Sequence, residues 1–279
     1  MTGVVFRRVR DIVVVVGPDA EDYLQGQLSQ DVTALLEGES AWSFVLAPNG
    51  KVDVWLRVTR RSPDEFILDL DGGFGGKLVA RLEKFMVRTR CDVKLLNWEM
   101  LSVVGADSSV PVGGLAISFE WPGLVAVDLL GPLVDPPFGQ AVLGESEWEH
   151  HRIRVGIPAM GSELDEGTIP AATGVVGRSV SFTKGCYVGQ ELVARIDSRS
   201  AATPTRLVRV VGSFDGDTRS PRVSSNLEIE GTQIGRLTSV AVGESGFVAL
   251  AYVKRSVVLP AEARACWAEG SLKVSLLAE

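Results

Sequence analysis

The chain has 279 residues, 46% of them apolar and 23% charged, and a formal net charge of −7. This composition excludes a disordered polymer, because it supplies enough apolar surface to bury cores, and it excludes a general nucleic-acid grip, which needs a basic face to displace counterions from phosphates. No run approaches the ~18 continuous apolar residues of a membrane span, and the apolar stretch behind Arg7, Arg8 and Arg10 is too short for a signal peptide and is interrupted by Asp11.

In chain order, Arg10 to Gly17 reads as a buried strand, its β-branched run stopped by Gly17-Pro18. Ala20, Tyr23, Leu24, Leu28 and Val32 then recur at helical spacing, predicting an amphipathic helix between Asp19 and Val32. Trp42 to Leu46 and Val52 to Val58 are expected as a hairpin joined through Ala47-Pro48-Asn49-Gly50, and Phe66 to Leu70 as a further strand. Leu78, Val79, Leu82, Phe85 and Met86 line one side of a second helix whose other side carries Lys77, Arg81, Lys84 and Arg88. Strands follow at Val103-Val104, Leu115 to Phe119 and Leu124 to Leu129, and a short helix from Glu147 to Val155 stops at Gly156-Ile157-Pro158. Strands mixed with isolated helices predict an α+β architecture.

From Leu207 onward short β-rich runs alternate with glycines, which predicts a separate small C-terminal β-barrel linked through Ser198 to Pro204. The expected division is residues 1–200, two intertwined α+β modules with the inserted one at roughly 42–127, and residues 201–279 for the barrel. Cys91, Cys186 and Cys266 lie far apart and form no Cys-x-x-Cys pair, and His150 and His151 are adjacent, so neither a disulfide framework nor a metal site is expected. A cytoplasmic protein with reduced thiols and no membrane association is the expectation.

The segment with the most chemistry is Lys184-Gly185-Cys186-Tyr187-Val188-Gly189-Gln190-Glu191. Val180-Ser181-Phe182 reads as a strand entering it, and Leu192, Val193 and Ile196 as one side of a helix leaving it, a junction that aims side chains and free N–H groups at one place. Gly185 and Gly189 permit positive φ or close approach of a ligand. A thiol near a cation or a helix N-terminus ionises more readily, so Cys186 is either a nucleophilic or redox-sensitive group or a small packed hydrophobe. Glu191 and Arg195, spaced i and i+4, are equally consistent with a surface ion pair of about 0.5 kcal/mol.

This segment resembles the K-G-C-Y-x-G-Q-E signature of the folate-binding YgfZ family, within the aminomethyltransferase-like superfamily, at every specified position. The resemblance extends to Arg152-Ile153 with Gly156-Ile157-Pro158, to Val193-Ala194-Arg195, to Gly17-Pro18-Asp19-Ala20 with Tyr23 to Leu28 and Asp31-Val32, and to Ile234 to Ser239, so it covers nearly the whole chain. It implies two α+β modules and a C-terminal β-barrel around a central folate pocket. It further implies tetrahydrofolate or a one-carbon derivative as cofactor, and a role supporting assembly or repair of iron–sulfur enzymes, in a group also linked to tRNA modification. Partners would then be a folate and iron–sulfur proteins or their assembly machinery.

On this resemblance Cys186 and Asp53 are candidate catalytic residues, and Lys184, Tyr187, Gly189, Gln190, Glu191, Arg195 and Arg152 candidate folate-binding residues. Two departures bear on the chemistry. Where the classical aminomethyltransferases carry adjacent acids, Gly50-Lys51-Val52-Asp53-Val54 keeps one, and Ile169-Pro170 is followed by Ala171 where Gln or Glu is frequent. They point away from classical aminomethyl transfer, leaving a folate-dependent one-carbon transferase as the alternative and a non-catalytic interaction scaffold as a second. Three scattered cysteines cannot alone supply four thiolates to a cluster, which disfavours a permanent cluster carrier.

Overall fold

The structure, a computed structural model, describes residues 3–105, 110–137, 140–198, 203–214 and 220–278, with the side chains of 195–198 outside the description. Its elements are β1 (Val4–Arg8), β2 (Arg10–Val16), α1 (Ala20–Gln27), β3 (Ser40–Leu46), β4 (Val52–Ser62), β5 (Glu65–Asp71), α2 (Gly75–Phe85), β6 (Asp92–Leu96), β7 (Glu99–Val104), β8 (Leu115–Trp121), β9 (Leu124–Gly131), β10 (Val142–Leu143), α3 (Glu145–Val155), a 3-10 turn (Pro170–Ala172), α4 (Val176–Ser179) and α5 (Gln190–Ser198). The barrel strands are β11 (Thr205–Ser213), β12 (Asn226–Ile229), β13 (Thr232–Val242), β14 (Gly246–Lys254), β15 (Ala261–Trp267) and β16 (Gly270–Leu276).

Two five-stranded sheets form the body, ordered β10-β1-β7-β9-β8 and β3-β4-β5-β2-β6. Ile12, Val14 and Ile67 of one pack against Met100, Ile117 and Leu130 of the other, as the alternation of strand side chains allows each sheet to offer an apolar face. The outer face of the second sheet is covered by α1 and α2, whose Tyr23, Leu24, Leu78 and Leu82 bury against Val13, Val54, Leu56 and Leu68. The C-terminal strands close a barrel in the order β11-β14-β13-β12-β15-β16, which leaves it no free edge. The α+β architecture with a C-terminal barrel stands as expected from the sequence. The predicted link from Ser198 to Pro204 falls partly on 199–202, outside the described residues.

A single residue, Val9, separates β1 in one sheet from β2 in the other. The chain thus changes sheets between Arg8 and Arg10, and both guanidiniums are buried there. Arg10 pairs with Asp69 at 2.7 Å and with Asp71, while Arg57 pairs with Asp69 and Asp128, each at 2.8 Å. Asp128 also accepts from Ser102 Oγ at 2.6 Å. Buried charges of this kind persist only when paired, because an unpaired one forfeits several kcal/mol of hydration.

Two local expectations are corrected. The first helix ends at Gln27 rather than near Val32: Leu28 is extended and bridges to Val45, and the carbonyls that would have continued the helix are taken by Lys184 Nζ. Val180 to Phe182 is no strand, since residues Val176–Ser179 make one helical turn and Ser181 N–H then reaches the Ser29 carbonyl at 3.0 Å, the one sheet-like bond of the segment. A strand needs a ladder of such bonds.

Candidate functional site

The signature segment is a clamp. Lys184 Nζ donates to the carbonyls of Gln25 (2.7 Å), Leu28 (2.8 Å) and Gln30 (2.8 Å), closing the C-terminal end of α1. Burial pushes this amine down to about 8, against the pull of Asp31. Gly189 has φ +81°, and a Cβ there would stand 2.5 Å from the Ala47 carbonyl oxygen; Gly50, φ +78°, would collide likewise with Leu192. The two glycines therefore let the signature loop and the β3–β4 turn lie backbone on backbone. Gln190 Oε1 accepts from the Tyr187 N–H at 3.1 Å, and the Tyr187 ring packs half-buried on the central aromatic cluster, its hydroxyl pushed up to about 12 by burial. Cys186 is exposed. Glu191 is exposed at the start of α5; Arg195 falls on the same helix, and its side chain lies outside the described residues.

Asp53 sits elsewhere, on the side of β4 that faces α2. Its carboxylate pairs with Lys77 Nζ at 2.9 Å and Arg81 Nε at 3.3 Å, and Lys77 also holds Glu166 at 2.8 Å. Arg81 in turn donates to the Leu46 carbonyl and to Gln27 Oε1, both at 3.2 Å. Asp53 is thereby tied to the strand that underlies Gly189, and it does not line the central cavity.

That cavity, of about 360 Å³, lies where the sheet-changing segment, the start of β3 and β4, and α3 converge. Helix α3 turns one stripe toward it, Glu145, Trp148, Glu149 and Arg152, spaced i, i+3, i+4 and i+7. Glu147 Oε2 reaches back to the Gly144 N–H at 3.1 Å and fixes the start of the helix, and Gly156 ends it at φ +82°. Trp42 and Trp55, stacked with centroids 4.2 Å apart, form one wall and Trp148 another.

The polar groups around the cavity differ in how well they are matched. Arg152 is held by Glu149 at 2.6 Å and by the buried Glu163 at 3.2 Å, and these acids overcome its desolvation to keep it firmly charged. Glu163 also accepts from Thr238 Oγ1 and Ser239 Oγ, both at 2.6 Å, fastening the barrel to α3. Glu145 is pushed up by burial while accepting the Val9 N–H at 2.8 Å. Arg8 has the poorest set. Its guanidinium lies 3.9 Å over the Trp148 ring and reaches Ser102 Oγ only at 3.5 Å and Asp128 only at 3.8 Å, and its Nε, like that of the better-paired Arg10, has no partner. Burial and the neighbouring Arg10 push it down to about 10. Since the residue is 7% exposed, this is a buried cation with spare donors at a cavity wall.

Of the residues expected from the sequence, Arg152 lines this cavity and Tyr187 packs on the aromatic cluster behind it; Lys184, Gly189 and Gln190 serve the clamp, and Cys186 faces solvent. Arg8, Arg10, Trp42, Trp55, Asp71, Glu145 and Trp148 were not among the expected site residues. The stripe on α3 was available as helical periodicity, but in polar residues, where an apolar period is the usual guide.

No family model matches the chain. It is 29% identical over 254 residues, 78% of this chain and 73% of the relative, to the tRNA-modifying protein YgfZ of Klebsiella pneumoniae. It is 27% identical over 222 residues, 68% of this chain and 49% of the relative, to an iron–sulfur cluster assembly factor IBA57 homolog, mitochondrial, of Neurospora crassa. Its fold superposes on the crystal structure of the glycine cleavage system aminomethyltransferase T of Bartonella henselae with a TM-score of 0.83 at 19% identity, covering 99% of this chain and 85% of that one. The resemblance carried by the signature therefore extends over most of the chain, and the protein is a relative of the YgfZ proteins built on the aminomethyltransferase fold.

Proposed function

We propose that this protein binds tetrahydrofolate, or a one-carbon derivative of it, in the central cavity and acts as an accessory in the assembly or repair of iron–sulfur enzymes. The observation that carries the reading is the pairing of tryptophan walls with an under-matched buried guanidinium. A pterin and a benzoyl ring are flat and apolar on their faces, which suits Trp42, Trp55 and Trp148, and their polar edges call for a few fixed partners. Arg8 has spare donors for a carbonyl or a tail carboxylate, and the carboxylate of Glu145 stands at the same cavity for a ring N–H group. When bound, tetrahydrofolate supplies a carrier for one-carbon units; the residues of this chain bind it, orient it and exclude water.

Two relatives support the client side of the reading: one is named for tRNA modification and the other for iron–sulfur cluster assembly. The engagement of Asp53 by Lys77 and Arg81, away from the central cavity, favours an accessory role over aminomethyl transfer, because both of its carboxylate oxygens are already taken up in ion pairs. Cys186 is the group offered outward, to an iron–sulfur protein or to its assembly machinery, in the cytoplasm. Among the described residues no helix is long and apolar enough to cross a membrane.

Calorimetric titration with tetrahydrofolate tests the ligand, with one site of micromolar affinity or tighter expected; no heat and no change in tryptophan emission at high micromolar ligand contradicts it. Deleting the gene should lower the activity of several iron–sulfur enzymes, and Cys186→Ala should not restore them. Full restoration by that variant removes the thiol from the function.

A further inference from the structure

A second cleft, of about 480 Å³, opens between the barrel and the body on the opposite side of the aromatic cluster. Trp121 forms part of its wall while the other side of the cluster, Trp55, lines the central cavity, the two rings standing edge-to-face at 6.4 Å. The remaining walls are largely apolar, with Val155 and Val175 from the body and Leu207 and Leu250 from the barrel. Into this surface project two arginines, Arg178 from α4 and Arg209 from β11.

Neither arginine is neutralised. Arg178 Cζ lies 3.8 Å from the centroid of the Trp121 ring, and its hydrogen bond among the described residues is a long one, 3.4 Å, from Nη1 to the Glu120 carbonyl. Arg209 donates from Nη1 to the Arg154 carbonyl at 3.3 Å. Among the described residues no Asp or Glu lines the cleft and neither guanidinium has an ion-pair partner, in a chain with 35 acidic and 28 basic residues. Two half-buried cations at an apolar cleft lose hydration without an anion to compensate; burial pushes Arg178 below its ordinary range. A flat apolar molecule with an anionic group offsets this cost: the ring replaces water against the apolar walls, and the anion takes N–H donors that the cleft leaves available.

We propose that this cleft is a second ligand site, built for an organic anion that has a flat apolar body and a carboxylate, sulfonate or phosphate group, held between Arg178 of the body and Arg209 of the barrel. A ligand there bridges the two parts of the molecule and is separate from the central cavity, whose residues it does not touch.

The test uses the full chain and two fluorescent probes of like ring structure, the anion 8-anilinonaphthalene-1-sulfonate and the uncharged N-phenyl-1-naphthylamine. The anion is expected to bind saturably at one site per chain and at least about tenfold more tightly than its neutral counterpart. Arg178→Gln and Arg209→Gln are each expected to weaken the anion about tenfold and to leave the neutral probe unchanged. Arg8→Gln and saturating tetrahydrofolate should alter neither probe. Equal affinity for the two probes overturns the proposal, as does unchanged anion binding in both arginine variants. Displacement of the anion by tetrahydrofolate together with its loss in Arg8→Gln places the probe in the central cavity and equally overturns it. Should Arg178→Gln fail to fold, Arg209→Gln and the ratio of the two probes on the unmodified protein still decide the matter. The carboxylate and phosphate forms are told apart by competition with benzoate and with phenyl phosphate.

Discussion

Lys184 and Arg8 are both cations drawn out of full contact with water, and they are treated in opposite ways. The Lys184 ammonium finds three backbone carbonyls within 2.8 Å and closes the end of a helix. The Arg8 guanidinium finds an indole face, one hydroxyl at 3.5 Å and a carboxylate at 3.8 Å, and keeps an unpaired Nε. A satisfied charge holds structure, whereas a buried charge with spare donors has binding capacity left to give. In this structure the signature segment is therefore mainly a scaffold that leaves Cys186 exposed, and the spare donors of Arg8 lie in another part of the chain.

The better-matched neighbours of Arg8 carry the largest expected effect. Asp69 is shared by Arg10 and Arg57, so Asp69→Ala leaves two buried guanidiniums short of a partner. We expect a loss of about 3–5 kcal/mol in urea unfolding; a loss near zero means that the cations are hydrated and the matching argument fails. The same carboxylate predicts an acid dependence. Desolvation raises Asp69, but Arg57 and Arg10 more than offset this and hold it below the ordinary carboxylate range. Its contribution is then complete above the unfolded value of about 4 and is lost as pH falls through the lower folded value. The stability difference between the protein and Asp69→Asn should be flat near neutrality and shrink in acid.

Within the signature, position decides the next effect. Gly189→Ala places a Cβ against the Ala47 carbonyl at a positive φ, and should cost about 2 kcal/mol. Gly185→Ala meets nothing within 4 Å and should change stability by less than about 0.5 kcal/mol. Equal melting temperatures for the two variants contradict the interlock with Gly50. Lys184→Met removes the clamp on α1 and is expected to cost about 1–2 kcal/mol, with earlier hydrogen exchange at the end of that helix as its local sign. Cys186→Ser, at an exposed position, should leave the melting temperature unchanged while failing to support iron–sulfur enzymes in cells. A destabilised Cys186→Ser protein would make the thiol structural.

Much of this architecture is legible in the chain because local chemistry dictates it. Pro48-Asn49-Gly50 turns β3 into β4, the valine run after Asp11 can only be a buried strand, and the glycine-punctuated segment after Leu207 closes as a barrel. The groups that converge from a distance were not legible. Arg8 and Arg10 read as a short basic stretch, and only the change of sheet at Val9 turns both inward against Asp69, Asp71 and Asp128. Trp42 and Trp148 lie more than a hundred residues apart and meet through the closure of α3 onto the body. Val180 to Phe182 had the composition of a strand but no neighbouring strand to pair with, and the first helix was cut short by a lysine far along the chain.

On the proposed function, tetrahydrofolate is held by the aromatic cavity through Arg8. This is tested most directly by calorimetric titration of Arg8→Gln beside Arg178→Gln and the unmodified protein, with circular dichroism confirming that all three are folded. The account predicts that Arg8→Gln weakens tetrahydrofolate at least about tenfold, the loss of one charge-assisted bond, and that Arg178→Gln binds it as the unmodified protein does. Unchanged affinity in Arg8→Gln, or a loss confined to Arg178→Gln, would contradict it.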